Sequence, residues 1–99
     1  MPVTRRLARK IEQVFPVDSA AVISILNDLK VESSDGDAGE RILAGVILVS
    51  RGEVDGLVMA LEILEGDWRD LLMEAGLASE GWKSKLNAFL GPERGDSLS

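Results

Sequence analysis

The chain has no cysteine, no histidine and no tyrosine among its 99 residues. Without thiols it can form no disulfide, no thiolate metal site and no cysteine nucleophile, so redox compartment leaves no mark on it. Without imidazole it lacks the usual proton shuttle near neutral pH and the commonest transition-metal ligand. Acid–base or nucleophilic chemistry would rest on carboxylates, Ser, Thr, Lys or Arg alone. No enzyme, catalytic residue, cofactor or metal is expected on these grounds. Long apolar runs are missing too. The longest, Ile42 to Val49, stops at Ser50-Arg51, far short of the ~20 residues of a membrane span. The cationic N-terminal stretch is followed by no apolar segment and no small-residue cleavage site. No signal peptide is expected, and a cytoplasmic protein is the default.

What is present suits one small globular domain. An apolar content of 45% argues against disorder, and a chain of this length can bury one core with little to spare. Residues 1–91 read as a single helical domain and the polar 92–99 as a flexible tail. Charge is unevenly placed. Residues 1–17 carry Arg5, Arg6, Arg9 and Lys10 against Glu12, whereas 18–82 carry fourteen acids against Lys30, Arg41, Arg51 and Arg69. An acidic body repels phosphate backbones, so nucleic acid is not the expected partner of the whole molecule.

The helical pattern is legible along most of the chain. Leu7, Ile11, Val14 and Phe15 form one stripe over 4–15, with Thr4 as a cap and Pro16 as a stop. Val22, Ile25, Leu26 and Leu29 repeat the pattern from Asp18 or Ser19 to Lys30. Residues 31–39, VESSDGDAG, read as a loop. The run 40–52 is apolar all round a helical wheel, and periodicity alone does not separate a buried helix from a strand at 42–49. Glu40-Arg41 as a first turn, Gly52 as a C-terminal glycine and the lack of a partner strand predict a helix. A fourth helix follows over 54–65, with Leu57, Leu61 and Leu64 as its core stripe. Asp67 caps a fifth over 68–75 that Gly76 ends. Ser79 caps a sixth over about 80–90, where Trp82, Leu86, Phe89 and Leu90 share a face. The expected class is all-α, a bundle of about six short helices.

Candidate sites are few. The loop DGDAGE misses the calcium pattern: from Asp35, positions 5, 6 and 12 are Gly39, Glu40 and Val46. The glycines form no phosphate-cradling motif. Asp67-Trp68-Arg69-Asp70 is accounted for as a capped helix start with an aromatic anchor. Its second reading is a docking surface, and a third makes Asp67 and Asp70 an acid pair. The cations Arg5, Arg6, Arg9 and Lys10 either pair with the chain's own acids or meet an anionic partner. Two helices apolar nearly all round, 40–51 and 54–65, offer more surface than one small domain encloses, with Met59 and Ile63 lacking cover. Self-association is therefore expected, a two-fold dimer being the commonest form.

The stretch from Glu40 to about Leu77 resembles a family of small bacterial proteins of unknown function. Glu40-Arg41-Ile42, Ala44, Gly52, Leu57, Asp67-Trp68-Arg69-Asp70-Leu71-Leu72 and Ala75-Gly76-Leu77 carry the resemblance, with the Phe15-Pro16 step. Gly66 and the glycine-rich 36–39 segment depart from the pattern. The resemblance implies an all-helical cytoplasmic protein with no attached activity. It also implies that Arg41 and Asp67 to Asp70 are the family's common polar residues, as an ion-pair network or a docking surface. Arg41, Trp68, Arg69 and Asp70 are thus the candidate interaction residues.

Overall fold

The computed structural model describes residues 3–29 and 36–91. Within them the chain forms α1 (Arg5–Val14), α2 (Ser19–Asp28), α3 (Gly36–Ser50), α4 (Val54–Gly66), α5 (Trp68–Ala75) and α6 (Trp82–Leu90), and no described residue is in a strand. The fold is all-α, a single small domain. The expected tail at 92–99, Lys30 and the first part of the expected loop lie outside the described residues.

Helix α3 is the axis of the molecule. Ile42, Leu43, Ala44 and Val46 are completely buried and Ile47 nearly so, because α1, α4, α5 and α6 all pack against this one helix. The alternative of a strand at 42–49 is thereby excluded. The all-round apolar surface that suggested a spare face on 40–51 is covered within one copy of the chain, leaving only Leu48 and Val49 half-buried. Helix α3 also begins earlier than composition predicts. Residues 36–39, expected in a loop, are helical. Short helices draw most of their stability from tertiary contacts rather than propensity, and Glu40, one turn further on, is held by side chains of α1.

Two of the expected caps, Thr4 and Asp67, form and two do not: Asp18 precedes α2 without a side-chain capping hydrogen bond, and Ser79 is displaced from α6. Thr4, in extended conformation, accepts a hydrogen bond from the Leu7 amide and caps α1. Phe15, forced out of the helix before Pro16, still donates its amide to the Ile11 carbonyl and is buried. Asp67 accepts from the Arg69 amide at 2.9 Å, and Gly76 closes α5 in the left-handed region. Ser79, however, does not cap α6. Its carbonyl accepts the Trp82 amide in a preceding turn, and Gly81 takes the cap position. On α2, Val22 and Leu26 are buried, but Ile25, expected on the same stripe, is 43% exposed. Helix α2 docks chiefly on α1, so its contact line narrows to the i, i+4 pair and the i+3 position falls beside it.

The α3–α4 corner is the tightest in the fold. Arg51 and Gly52 both take positive φ, 55° and 77°, a conformation that glycine adopts freely and arginine rarely does. Ser50 is buried, donates its hydroxyl to the Ile47 carbonyl at 2.7 Å and accepts the Gly52 amide. Gly56 then brings α4 directly against the Ser50 carbonyl: a Cβ at position 56 would lie 2.2 Å from that oxygen.

Candidate interaction surface

The four sequence-selected residues are not brought together. Arg41 turns inward. Its Nε donates to the Leu77 carbonyl at 2.8 Å, its Nη2 donates to the same oxygen, and its guanidinium lies 4.3 Å from the centre of the Trp82 ring. A planar cation over an indole is a favourable pairing, and here it ties α3 to the α5–α6 connection. Arg41 is thus an internal strut. Trp68 is half-buried at the start of α5, while Arg69 and Asp70 are exposed; Arg69 folds back over Trp68 at 5.3 Å. Asp67 and Asp70, the pair an acid–base mechanism would use, stand on open surface. The cap itself is testable: Asp67→Ala is expected to lower stability by about 1 kcal/mol in a denaturant melt, the usual size of a lost N-cap.

A polar cluster whose acid partner no local pattern identified sits on the other side of α3. Arg6, one of the four cations expected either to pair with the chain's own acids or to meet an anionic partner, is paired with Glu40 and only 6% exposed, and Glu40 is 14% exposed. The Arg6 guanidinium donates through Nε and Nη2 to the two oxygens of Glu40, and through Nη1 to the Asn87 side chain at 2.8 Å and the Gly91 carbonyl at 3.1 Å. The Thr4 hydroxyl donates to Glu40 as well. One fork-shaped cation thereby joins α1, α3 and the end of α6. A signal was present in the sequence: Glu40 heads a stripe with Leu43, Ala44 and Ile47 at i+3, i+4 and i+7, an unusual place for an acid unless it is paired.

The hydrogen bond from Arg6 holds the Glu40 carboxyl below its ordinary 4.5; burial opposes this, and the Thr4 hydroxyl and the Arg6 charge add to it. A carboxyl whose folded value lies below its unfolded value stabilises the fold above the unfolded value, and that share is lost as pH falls through the folded one. The melting temperature of the native chain is therefore expected to fall more steeply below pH 4.5 than that of Glu40→Gln. Equal acid slopes for the two proteins would refute the assignment.

Two surface features remain. The outer side of α4 exposes Val54 (52%), Val58 (50%) and Met59 (60%). At about 100° per residue, Asp55 and Glu62 form an acidic ridge with Val58 on one side and Met59 on the other, and Glu65 lies on the valine side, between Val54 and Val58. Beside Met59 an open cleft of about 390 Å³ runs between α3, α4 and α5, with Leu48, Val49 and Ala75 in its walls and Arg51, Glu53 and Glu74 at its rim. Between α1 and α6 lies a shallower groove of about 230 Å³, lined by Arg9, Lys10, Gln13 and Phe89 among others. The Lys10 ammonium rests 4.8 Å from the Phe89 ring centre. Among the described residues no helix is long and apolar enough to cross a membrane, and no three acids converge as a metal site would need.

Compared with protein-family models, curated proteins and solved structures, the chain matches none of them.

Proposed function

We propose that this protein is a non-catalytic helical interaction module, acting in the cytoplasm, that self-associates through the outer face of α4, a dimer being its smallest assembly. The observation that carries this reading is the exposure of Val54, Val58 and Met59 on a single helix whose other side already fills the core with Leu57, Ala60 and Leu64. Scattered apolar residues on a surface are ordinary; three on the outer side of one helix, two on one flank of an acidic ridge and the third beside a cleft walled by Leu48 and Val49, are exposed apolar surface of the kind that partners cover. In light scattering at micromolar concentration, the native chain is expected above the 10.7 kDa monomer mass. The double variant Val58→Glu/Met59→Glu is expected at that mass. Identical masses for the two would refute the reading.

A second reading makes the protein a small regulator that touches nucleic acid or an anionic surface through α1. Arg9 and Lys10 favour it, since neither forms an ion pair among the described residues. It has lost one of its four cations, because Arg6 is buried against Glu40. It requires binding to RNA or anionic vesicles that weakens steeply with salt and disappears in Arg9→Gln/Lys10→Gln.

A further inference from the structure

The contact between copies can be specified further, given the self-association proposed above. Helix α4 carries Asp55, Glu62 and Glu65 and no cation. Two copies meeting α4 to α4 across a two-fold axis would bring acids against acids in the middle of the interface, and like charges so placed cost affinity. The apolar flanks invite a partner that the ridge between them rejects. A suitable partner has cations at its centre and apolar surface around them.

The chain itself supplies such a surface. In the α1–α6 groove Arg9 and Lys10 stand side by side, with the Phe89 ring, Ala88 and Leu90 beneath them. Lys85 and Lys83 lie further along α6, and no acid among the described residues lines the groove. Within one copy no ion pair joins this surface to α4 among the described residues: Arg9, Lys10, Asp55, Glu62 and Glu65 all stand without an ionic partner there. Helix α1 packs chiefly on α2, α3 and α6, and α4 on α3 and α5.

We propose that self-association is heterologous: the acidic ridge of α4, with Val54 and Val58, docks into the α1–α6 groove of a second copy. Glu62 and Glu65 there meet Arg9 and Lys10, and the valines meet the Phe89 side of the groove. Charge complementarity selects this pairing, and apolar burial stabilises it.

The test uses two charge-reversed variants of the whole chain, each first shown to be folded by its helical circular dichroism and melting curve. Arg9→Glu/Lys10→Glu spoils the groove and keeps the ridge; Glu62→Lys/Glu65→Lys spoils the ridge and keeps the groove. Each alone is expected at the 10.7 kDa monomer mass in sedimentation equilibrium, and an equimolar mixture is expected to form complexes of at least twice that mass, because the intact ridge of one finds the intact groove of the other and the two reversed surfaces are complementary as well. Failure of the mixture to associate would overturn the pairing, as would association of Arg9→Glu/Lys10→Glu alone to the native extent. That last result leaves self-association standing, whereas a native chain that is itself monomeric removes both.

Discussion

Replacing Arg6 with alanine is expected to lower the unfolding free energy by about 3–5 kcal/mol, the range found when one partner of a buried ion pair is removed. Small domains are stable by only about 5–15 kcal/mol, so this single change brings the fold near its limit. The loss has three parts. Glu40 is left charged, 14% exposed and without its bidentate partner. The Asn87 side chain and the Gly91 carbonyl lose their donor. The aliphatic stem of Arg6, packed between α1 and α6, leaves a void. The pair does not have to stabilise the fold relative to an apolar alternative, because desolvating both charges is costly. Arg6→Met/Glu40→Leu is therefore expected to recover most of what Arg6→Ala loses. Urea melts of the single and double variants measure the coupling directly; a double variant as unstable as Arg6→Ala would show that the clasp acts through something other than its charges.

Gly56→Ala is expected to cost about 3 kcal/mol, at the upper end of what overpacking usually does. The Cβ would stand 2.2 Å from the Ser50 carbonyl oxygen and 2.9 Å from its carbon. These are backbone atoms, so no rotamer change relieves the contact. The Ser50 carbonyl also accepts the Glu53 amide at 3.1 Å, so moving it disturbs the α3–α4 corner as well as the packing of the two helices. Gly66, at the other end of α4, is the control. Nothing lies within 4 Å of a Cβ built there and its φ is not positive. Gly66→Ala should therefore leave stability unchanged or raise it by up to about 1 kcal/mol through helix propensity. Equal effects of the two substitutions in thermal melts would mean that α4 does not approach Ser50 as described.

Helices α1, α4 and α5 were legible in the sequence because their signals are local. Apolar spacing, a Thr or Asp cap and a terminating Pro or Gly act within a few residues. The body of α3 could be assigned from its flanks, Glu40-Arg41 and Gly52, even though its own periodicity was mute. What escaped depends on distant contacts. The start of α3 at Gly36 follows helix-breaking composition only until a tertiary partner, Arg6 of α1, overrides it. Ile25 fits a perfect stripe, yet it is exposed because α2 has one main neighbour and not two. The candidate surface was half legible. Met59 was singled out correctly as uncovered, while Ile63, expected to share its fate, is half-buried. Arg41 was chosen for its place in a motif, but its carbonyl and indole partners lie 36 and 41 positions away, beyond any local pattern.

Met59 and Met73 provide the most direct test of an associating α4 face. Both thioethers are exposed in the single chain, Met59 by 60% and Met73 by 68%, but only Met59 belongs to the outer face of α4, and Met73 lies on the outer side of α5. Oxidation of each by dilute peroxide, followed by mass spectrometry of its peptide, reads solvent access at both positions in one sample. If α4 is the contact between copies, the Met59 rate falls as protein concentration rises from nanomolar to high micromolar, while the Met73 rate stays constant. Rates that keep the same ratio at every concentration, in a chain that remains folded, would contradict burial of α4 in a self-associated state.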